Sequence, residues 1–217
     1  LYGHGLLGSG EQVGGGFNSR IANRNNLIFI AADLTGMAED DQASVIQTLM
    51  EVSRFPSMAD RLQQGLVEWV LLARGMRARL ESLPALTKYK IKVNRDELFY
   101  SGISQGGIFG GSFVALSPDV ERGHLGVPGS NYSLLLQRST DFEQFALLLG
   151  TSYPATRDQA IALSAMQLLW DATDPVTHYR HLSVEPYPGN RPHHVLMGPA
   201  RGDYQVSPLT NEVLARS

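Results

Sequence analysis

Residues 99–108 read Phe-Tyr-Ser-Gly-Ile-Ser-Gln-Gly-Gly-Ile, and inside them stands Gly102-Ile103-Ser104-Gln105-Gly106. An apolar, strand-like run leads in, and a run of small residues with helical patterning, roughly Gln105 to Leu116, leads out. A sharp strand-to-helix turn forces its apex residue into a strained backbone conformation. Side chains two positions to either side would collide with the turn, so both must be small. Gly102 and Gly106 meet that need, and Gly107 lets the helix approach the strand. Such a turn lifts the Ser104 hydroxyl above a sheet and points the helix N-terminus at it. The Gln105 amide is then placed to stabilise an oxyanion. The competing reading is an ordinary glycine-rich turn with a bystander serine.

The rest of the chain supplies the layers that such a turn requires. Strand-like runs are expected at 27–32, 98–101, 120–127 and 194–197. The first is apolar on both faces, as in an interior strand of a parallel sheet. Helical spacing marks residues 42–82, interrupted at Pro56, then most of 131–182 and a last helix from Ser207 or Pro208. Glycine-dense residues 1–17 read as a loop, and 84–96 as a polar connection with solvated Lys88, Lys90 and Lys92. Strands alternating with helices predict an α/β fold, a mostly parallel sheet flanked by helices. The 217 residues suit one domain, with 131–182 as a helical cap insertion. Leu134–Leu136, Phe145 and Trp170 of that insertion either line an acyl pocket or pack it onto the body.

Composition narrows the function classes. Lys and Arg total 18 against 21 Asp and Glu, a formal net charge of -3, so no basic footprint for nucleic acid exists. Hydrophobic content of 43% argues against disorder. The best apolar run, 26–33, falls far short of the roughly 20 residues of a membrane span. With no cysteine, a disulfide scaffold, a thiolate zinc site and a cysteine nucleophile are impossible. His178-x-x-His181 lacks an acid at ligand spacing, so no metal site is expected. No cofactor is expected either. Asn131-Tyr-Ser133 is a glycosylation sequon, meaningful only in a eukaryotic secretory context.

Tyr2-Gly-His-Gly-Leu-Leu-Gly-Ser9 admits two readings. As His4-Gly5-Leu6 after a strand it is an oxyanion loop, with the Leu6 amide as second donor. As Gly3-x-Gly5-x-x-Gly8 with Asp33 further on, it is a dinucleotide fingerprint. The latter needs a helix directly after Gly8, and residues 9–18 are poor helix material.

On these segments, together with Gly202-Asp203-Tyr-Gln-Val206, the chain resembles α/β-hydrolase-fold serine hydrolases of the esterase/lipase type. Leu116-Ser-Pro-Asp-Val120, Gly126-Val-Pro-Gly-Ser-Asn-Tyr-Ser133 and Gln167-Leu-Leu-Trp-Asp171 also resemble a group of large bacterial hydrolases. The resemblance implies acyl transfer through a covalent ester on Ser104, with Asp203 as the acid and Leu6 and Gln105 as oxyanion donors. His4 and Gly5 then lie on the substrate side, with His4 bracing the loop. The implied partner is a small-molecule ester or lipid. Asp171 and Asp174 are the alternative acids, and Asp203 is preferred because the acid belongs on a loop after a strand.

The resemblance also implies a histidine beyond the acid, after one further strand. The chain's six histidines are His4, His124, His178, His181, His193 and His194, all before Asp203, and Tyr204 follows it. About fourteen residues remain after Asp203, too few for a helix, a strand and the histidine loop. Likewise Leu1-Tyr2 reads as the tail of a strand lying between those at 27–32 and 97–101. Unpaired interior edges would cost on the order of 1–3 kcal/mol per orphaned group. The expectation is therefore that polypeptide upstream of Leu1 and downstream of Ser217 completes the sheet.

Overall fold

A computed structural model describes all residues 1–217. Four parallel strands, β1 (Tyr2–Gly3), β2 (Phe99–Ile103), β3 (Arg122–Gly126) and β4 (His194–Gly198), lie side by side in that order. Ile103 is in register with Gly126, and Gly126 with Gly198, so β2, β3 and β4 end level. The helices are α1 (Gly16–Asn25), α2 (Gln42–Met50), α3 (Phe55–Arg79), α4 (Pro84–Lys88), α5 (Gln105–Leu116), α6 (Tyr132–Leu136), α7 (Glu143–Ser152), α8 (Thr156–Trp170), α9 (Pro175–His178), α10 (Arg180–Ser183) and α11 (Pro208–Arg216). No helix is long and apolar enough to cross a membrane. The expected α/β architecture is present.

Strand alternation decides where α5 sits. Tyr100 and Gly102 of β2 and Gly123 and Leu125 of β3 turn to one face and are buried there beneath α5. Residues 105–115 of α5 are all buried, and a Cβ on Gly107 would run into the Gly126 carbonyl. The small-residue run is what lets this helix lie against the sheet. The other face, with Ile103, His124 and Leu196, is exposed.

The long α3 joins two cores. Its Phe55, Met58, Ala59 and Leu62 pack with α2 and the helical segment 131–182. One and two turns later, Leu66, Trp69 and Ala73 pack on the same side of the sheet as α5, following the three-and-four spacing of one helix face. Trp69 is fully buried against the rings of Tyr100, Phe109 and Phe113 and donates its indole N–H to the Asp33 carbonyl at 3.0 Å. Pro56 starts α3 rather than interrupting a helix, because a proline near N1 lacks only an N–H that would have no partner.

Several expectations need correction. Residues 27–32 form no strand: Leu27 and Ile28 are exposed, and the Tyr2 N–H to Ile30 carbonyl bond (2.8 Å) alone ties this run to β1. The neighbour is only two residues long, so no ladder can extend along an apolar run. The placement of Tyr2 between this run and β2 is as expected, since the Ser101 N–H donates to the Leu1 carbonyl at 2.9 Å. The glycine-dense start is not all loop. It holds β1, a 3-10 turn at Gly10–Gly14 and the beginning of α1, which ends on left-handed Asn26 (φ 53°). The polar connection includes α4, begun by Pro84, and the third strand is shorter than 120–127.

Candidate active site

The turn between β2 and α5 holds Ser104 at φ 58°, ψ -123°, a conformation side chains rarely adopt. Two backbone bonds pin it: the Ser104 N–H donates to the Gly126 carbonyl (3.0 Å), and its carbonyl accepts from the Ile108 N–H (2.9 Å). A Cβ on Gly102 would strike the Gly106 carbonyl, and one on Gly106 would strike the Gly3 carbonyl. The Tyr100 hydroxyl donates to the same Gly106 carbonyl at 2.6 Å. Ser104 is half-buried, and no side chain of the protein hydrogen-bonds its hydroxyl. Gln105 opens α5, so its N–H has no acceptor within the helix. The Gln105 side chain is buried and donates to the Tyr132 hydroxyl at 2.8 Å.

The loop after β1 runs beside this turn. The Leu6 N–H has no acceptor in the protein, whereas its neighbours are fixed. The Leu7 N–H donates to the Met37 carbonyl (3.0 Å), and the Gly5 N–H to Gln12 Oε1 (3.0 Å). His4 is completely buried; its Nε2 accepts from the Leu34 N–H and its Nδ1 faces the Gly5 carbonyl, each at 2.7 Å. That pairing fixes the tautomer as neutral, protonated at Nδ1, and burial pulls its pKa below the usual histidine value. With both nitrogens engaged, the His4 side chain braces the loop and has no atom left for a substrate. Asp33, the acid of the dinucleotide alternative, accepts from the Gly10 N–H at 2.7 Å. The regular helix starts only at Gly16, eight residues beyond Gly8.

Asp203 lies on the loop after β4, two strands from the Ser104 turn, a lateral step of about 10 Å in a sheet. Its Oδ1 accepts from the Gln205 and Val206 N–H groups at 2.8 and 2.9 Å. The loop is tied to the helical segment: the Thr140 N–H donates to the Tyr204 carbonyl (2.9 Å), and Gln205 Nε2 to Asp141 (2.9 Å). The alternative acids serve the interior instead. Asp174 is buried and accepts from the Tyr132 N–H (2.8 Å), the Val176 N–H and Gln167 Nε2 (both 3.1 Å); burial raises its pKa. Asp171 accepts from the same Gln167 at 2.8 Å.

No histidine is hydrogen-bonded to Ser104 or Asp203. His124 faces Ser101 on the exposed side of the sheet (3.1 Å), and His178 faces Tyr187 (2.8 Å). His181 faces the Glu185 carbonyl and His193 the Ser117 carbonyl, while His194 is exposed at the start of β4. No three His, Asp or Glu side chains come together as a metal cage would need.

Tyr132, Gln12 and Asp141 escape the sequence reading. Tyr132 and Asp141 act through side-chain hydrogen bonds to distant residues and Gln12 through one to Gly5, and none leaves a trace in spacing or composition.

No family model matches the chain, and no curated protein matches it by sequence. Among solved structures it is similar to acetyl xylan esterase 1 from Thermoanaerobacterium sp. The TM-score is 0.55 at 14% identity, over 99% of this chain and 73% of that one. The likeness is one of fold.

Proposed function

We propose that the chain is the body of a serine hydrolase that cleaves carboxylic esters. The carrying observation is Ser104 at φ 58° on the turn between β2 and α5, with an uncommitted hydroxyl, the free Gln105 N–H at the start of α5, and the unpaired Leu6 N–H on the loop that follows the neighbouring strand β1. In this reading Ser104 Oγ adds to the acyl carbonyl while its proton passes to a base. The Leu6 and Gln105 N–H groups hold the oxyanion, the alcohol leaves with the proton, and water then hydrolyses the acyl-serine. Asp203, on the loop after β4, orients the base. The fold likeness to an acetyl xylan esterase supports the ester class.

One observation favours a second, non-catalytic reading: no histidine touches Ser104 or Asp203. A fluorophosphonate probe separates the two. Labelling of the chain that disappears in Ser104→Ala supports the hydrolase. An unlabelled chain, or a Ser104→Ala variant labelled equally, leaves the scaffold reading standing.

A further inference from the structure

Asp41 stands immediately before α2, and its carboxylate is only 2% exposed. Four donors surround it. Oδ2 accepts from the Gly36 N–H (2.6 Å) and the Ala38 N–H (3.0 Å). Oδ1 accepts from Nε of Arg61 on α3 (2.7 Å) and from a second guanidinium N–H of the same arginine. A buried ion pair is weak evidence for stability, because desolvating the charges offsets most of their attraction. This pair has a connection to the loop after β1. The Ala38 N–H shares one trans peptide plane with the Met37 carbonyl, so the two point opposite ways. On that far side the Met37 carbonyl accepts from the Leu7 N–H at 3.0 Å. The next peptide repeats the arrangement, with the Glu39 N–H donating to the Gly8 carbonyl at 2.8 Å.

Resting on the reading of Ser104 as a nucleophile, we propose that Asp41, held by Arg61, is a positioning residue for the Leu6 N–H. The relay is short. Asp41 fixes the peptide between Met37 and Ala38, that peptide fixes the Leu7 N–H, and Leu6 is the adjacent residue. Leu7 is left-handed at φ 48°, a conformation that persists in a leucine only where its surroundings over-determine it. The loop also begins against the Ser104 turn. Gly3 is in register with Gly102, and a Cβ on Gly106 would meet the Gly3 and His4 carbonyls. The Gly8 N–H closes the loop onto the Gly5 carbonyl at 3.1 Å, and that carbonyl lies in the same peptide as the Leu6 N–H. A rotation of the Met37–Ala38 peptide is thus passed to Leu6 through Leu7. Hydrogen bonds weaken steeply as their angle departs from linear, and losing one oxyanion donor costs ~10²–10³-fold in kcat.

The test is fluorophosphonate labelling and p-nitrophenyl acetate hydrolysis, with imidazole supplied as the base, by the chain and its Ser104→Ala, Asp41→Ala, Asp41→Asn and Arg61→Ala variants. The labelling endpoint counts folded chains, and the rate constant per labelled site reads how well the oxyanion is held. Asp41→Ala is expected to keep the endpoint, to lower the rate constant and kcat ~10–100-fold, and to leave KM within about twofold. Asp41→Asn and Arg61→Ala each leave an oxygen for the Gly36 and Ala38 N–H groups and lose less. If Asp41→Ala yields no folded chain, one of these two milder variants must still show a lower rate constant at an unchanged endpoint. A reduced endpoint with an unchanged rate constant makes Asp41 a structural residue and overturns the inference, while the nucleophile stands. Labelling that ignores Ser104→Ala, or a parent chain that is never labelled, overturns the nucleophile and the inference with it.

Discussion

Gln105 Nε2 donates to the Tyr132 hydroxyl at 2.8 Å, and both side chains are buried. This bond joins the first residue of α5 to the first residue of α6 across 27 positions of sequence. It also sets the Tyr132 ring against Trp170 at an interplanar angle of 13°. Tyr132→Phe keeps the ring and strands a buried amide donor. The expected cost is about 1–3 kcal/mol, a fall in Tm of roughly 2–4 °C per kcal/mol for a chain of this size. Replacing both partners, Gln105→Leu with Tyr132→Phe, costs less than the sum of the single changes, since no polar group is then left unpaired. Thermal melts of the four proteins in the cycle check this.

The strained conformation of Ser104 makes an opposite prediction about stability. Backbone in this region costs an L-residue on the order of 1–3 kcal/mol, and glycine avoids that at an entropic penalty of about 0.5–1 kcal/mol. Ser104→Gly is therefore expected to raise Tm by a few degrees while abolishing fluorophosphonate labelling. A Ser104→Gly protein that melts below the parent contradicts the assignment of strain to this turn.

These two residues mark how far the sequence could be read. Ser104 was legible because its turn is a local steric problem, and Gly102 and Gly106 are its local solution. The position of Asp203 followed in the same way, from a loop after an apolar run. Tyr132 was not legible, because its partner is distant and nothing in the spacing of a tyrosine announces a bond to a glutamine. Residues 27–32 misled for a related reason. A run apolar on both faces is read as an interior strand, but a strand also needs a partner of equal length, and β1 is two residues long. The placement of α3, α7 and α8 was legible because each buries one face at a spacing of three and four, and that of α5 because a run of small residues follows the Ser104 turn.

His4 makes the loop's stability depend on pH. Its folded pKa is held below the ordinary histidine value by burial, so between about pH 6.5 and that lower value the unfolded chain binds a proton that the folded chain does not. Stability is complete above pH 6.5 and falls as the pH drops. His178, also buried, acts in the same direction. The prediction is a Tm that declines from pH 7 to pH 5, with a shallower decline in His4→Gln, measured by melts at each pH. An unchanged slope in that variant shows that His4 does not carry the effect.

Asp203 has two duties that one substitution separates. Its Oδ1 closes the turn onto the Gln205 and Val206 N–H groups, which the carbonyl of an asparagine also does. Its charge would matter only to a base on Ser104. Asp203→Asn is expected to keep stability within about 1 kcal/mol of the parent and, with imidazole supplied as the base, to lower Ser104 labelling by ~100-fold or more, as losing the orienting acid does in serine hydrolases. Labelling that survives in Asp203→Asn reduces Asp203 to a turn former.

The last prediction concerns the base itself. His4, His178 and His193 are buried and committed to carbonyl or hydroxyl partners, His181 is tied to the Glu185 carbonyl, and His124 faces Ser101. None is bonded to Ser104, whose hydroxyl is a weak nucleophile until a base takes its proton. Free imidazole supplies that function from solution, at an ordinary pKa close to the histidine value of about 6.5. Adding imidazole at pH 7.5 is thus expected to accelerate fluorophosphonate labelling and acetate release, rising with its concentration. The gain should vanish in Ser104→Ala and shrink in Asp203→Asn, because a carboxylate orients an imidazole wherever the ring comes from. An imidazole-independent rate would mean that a base already acts on Ser104, supplied by a group near the Leu6 and Gln105 amides.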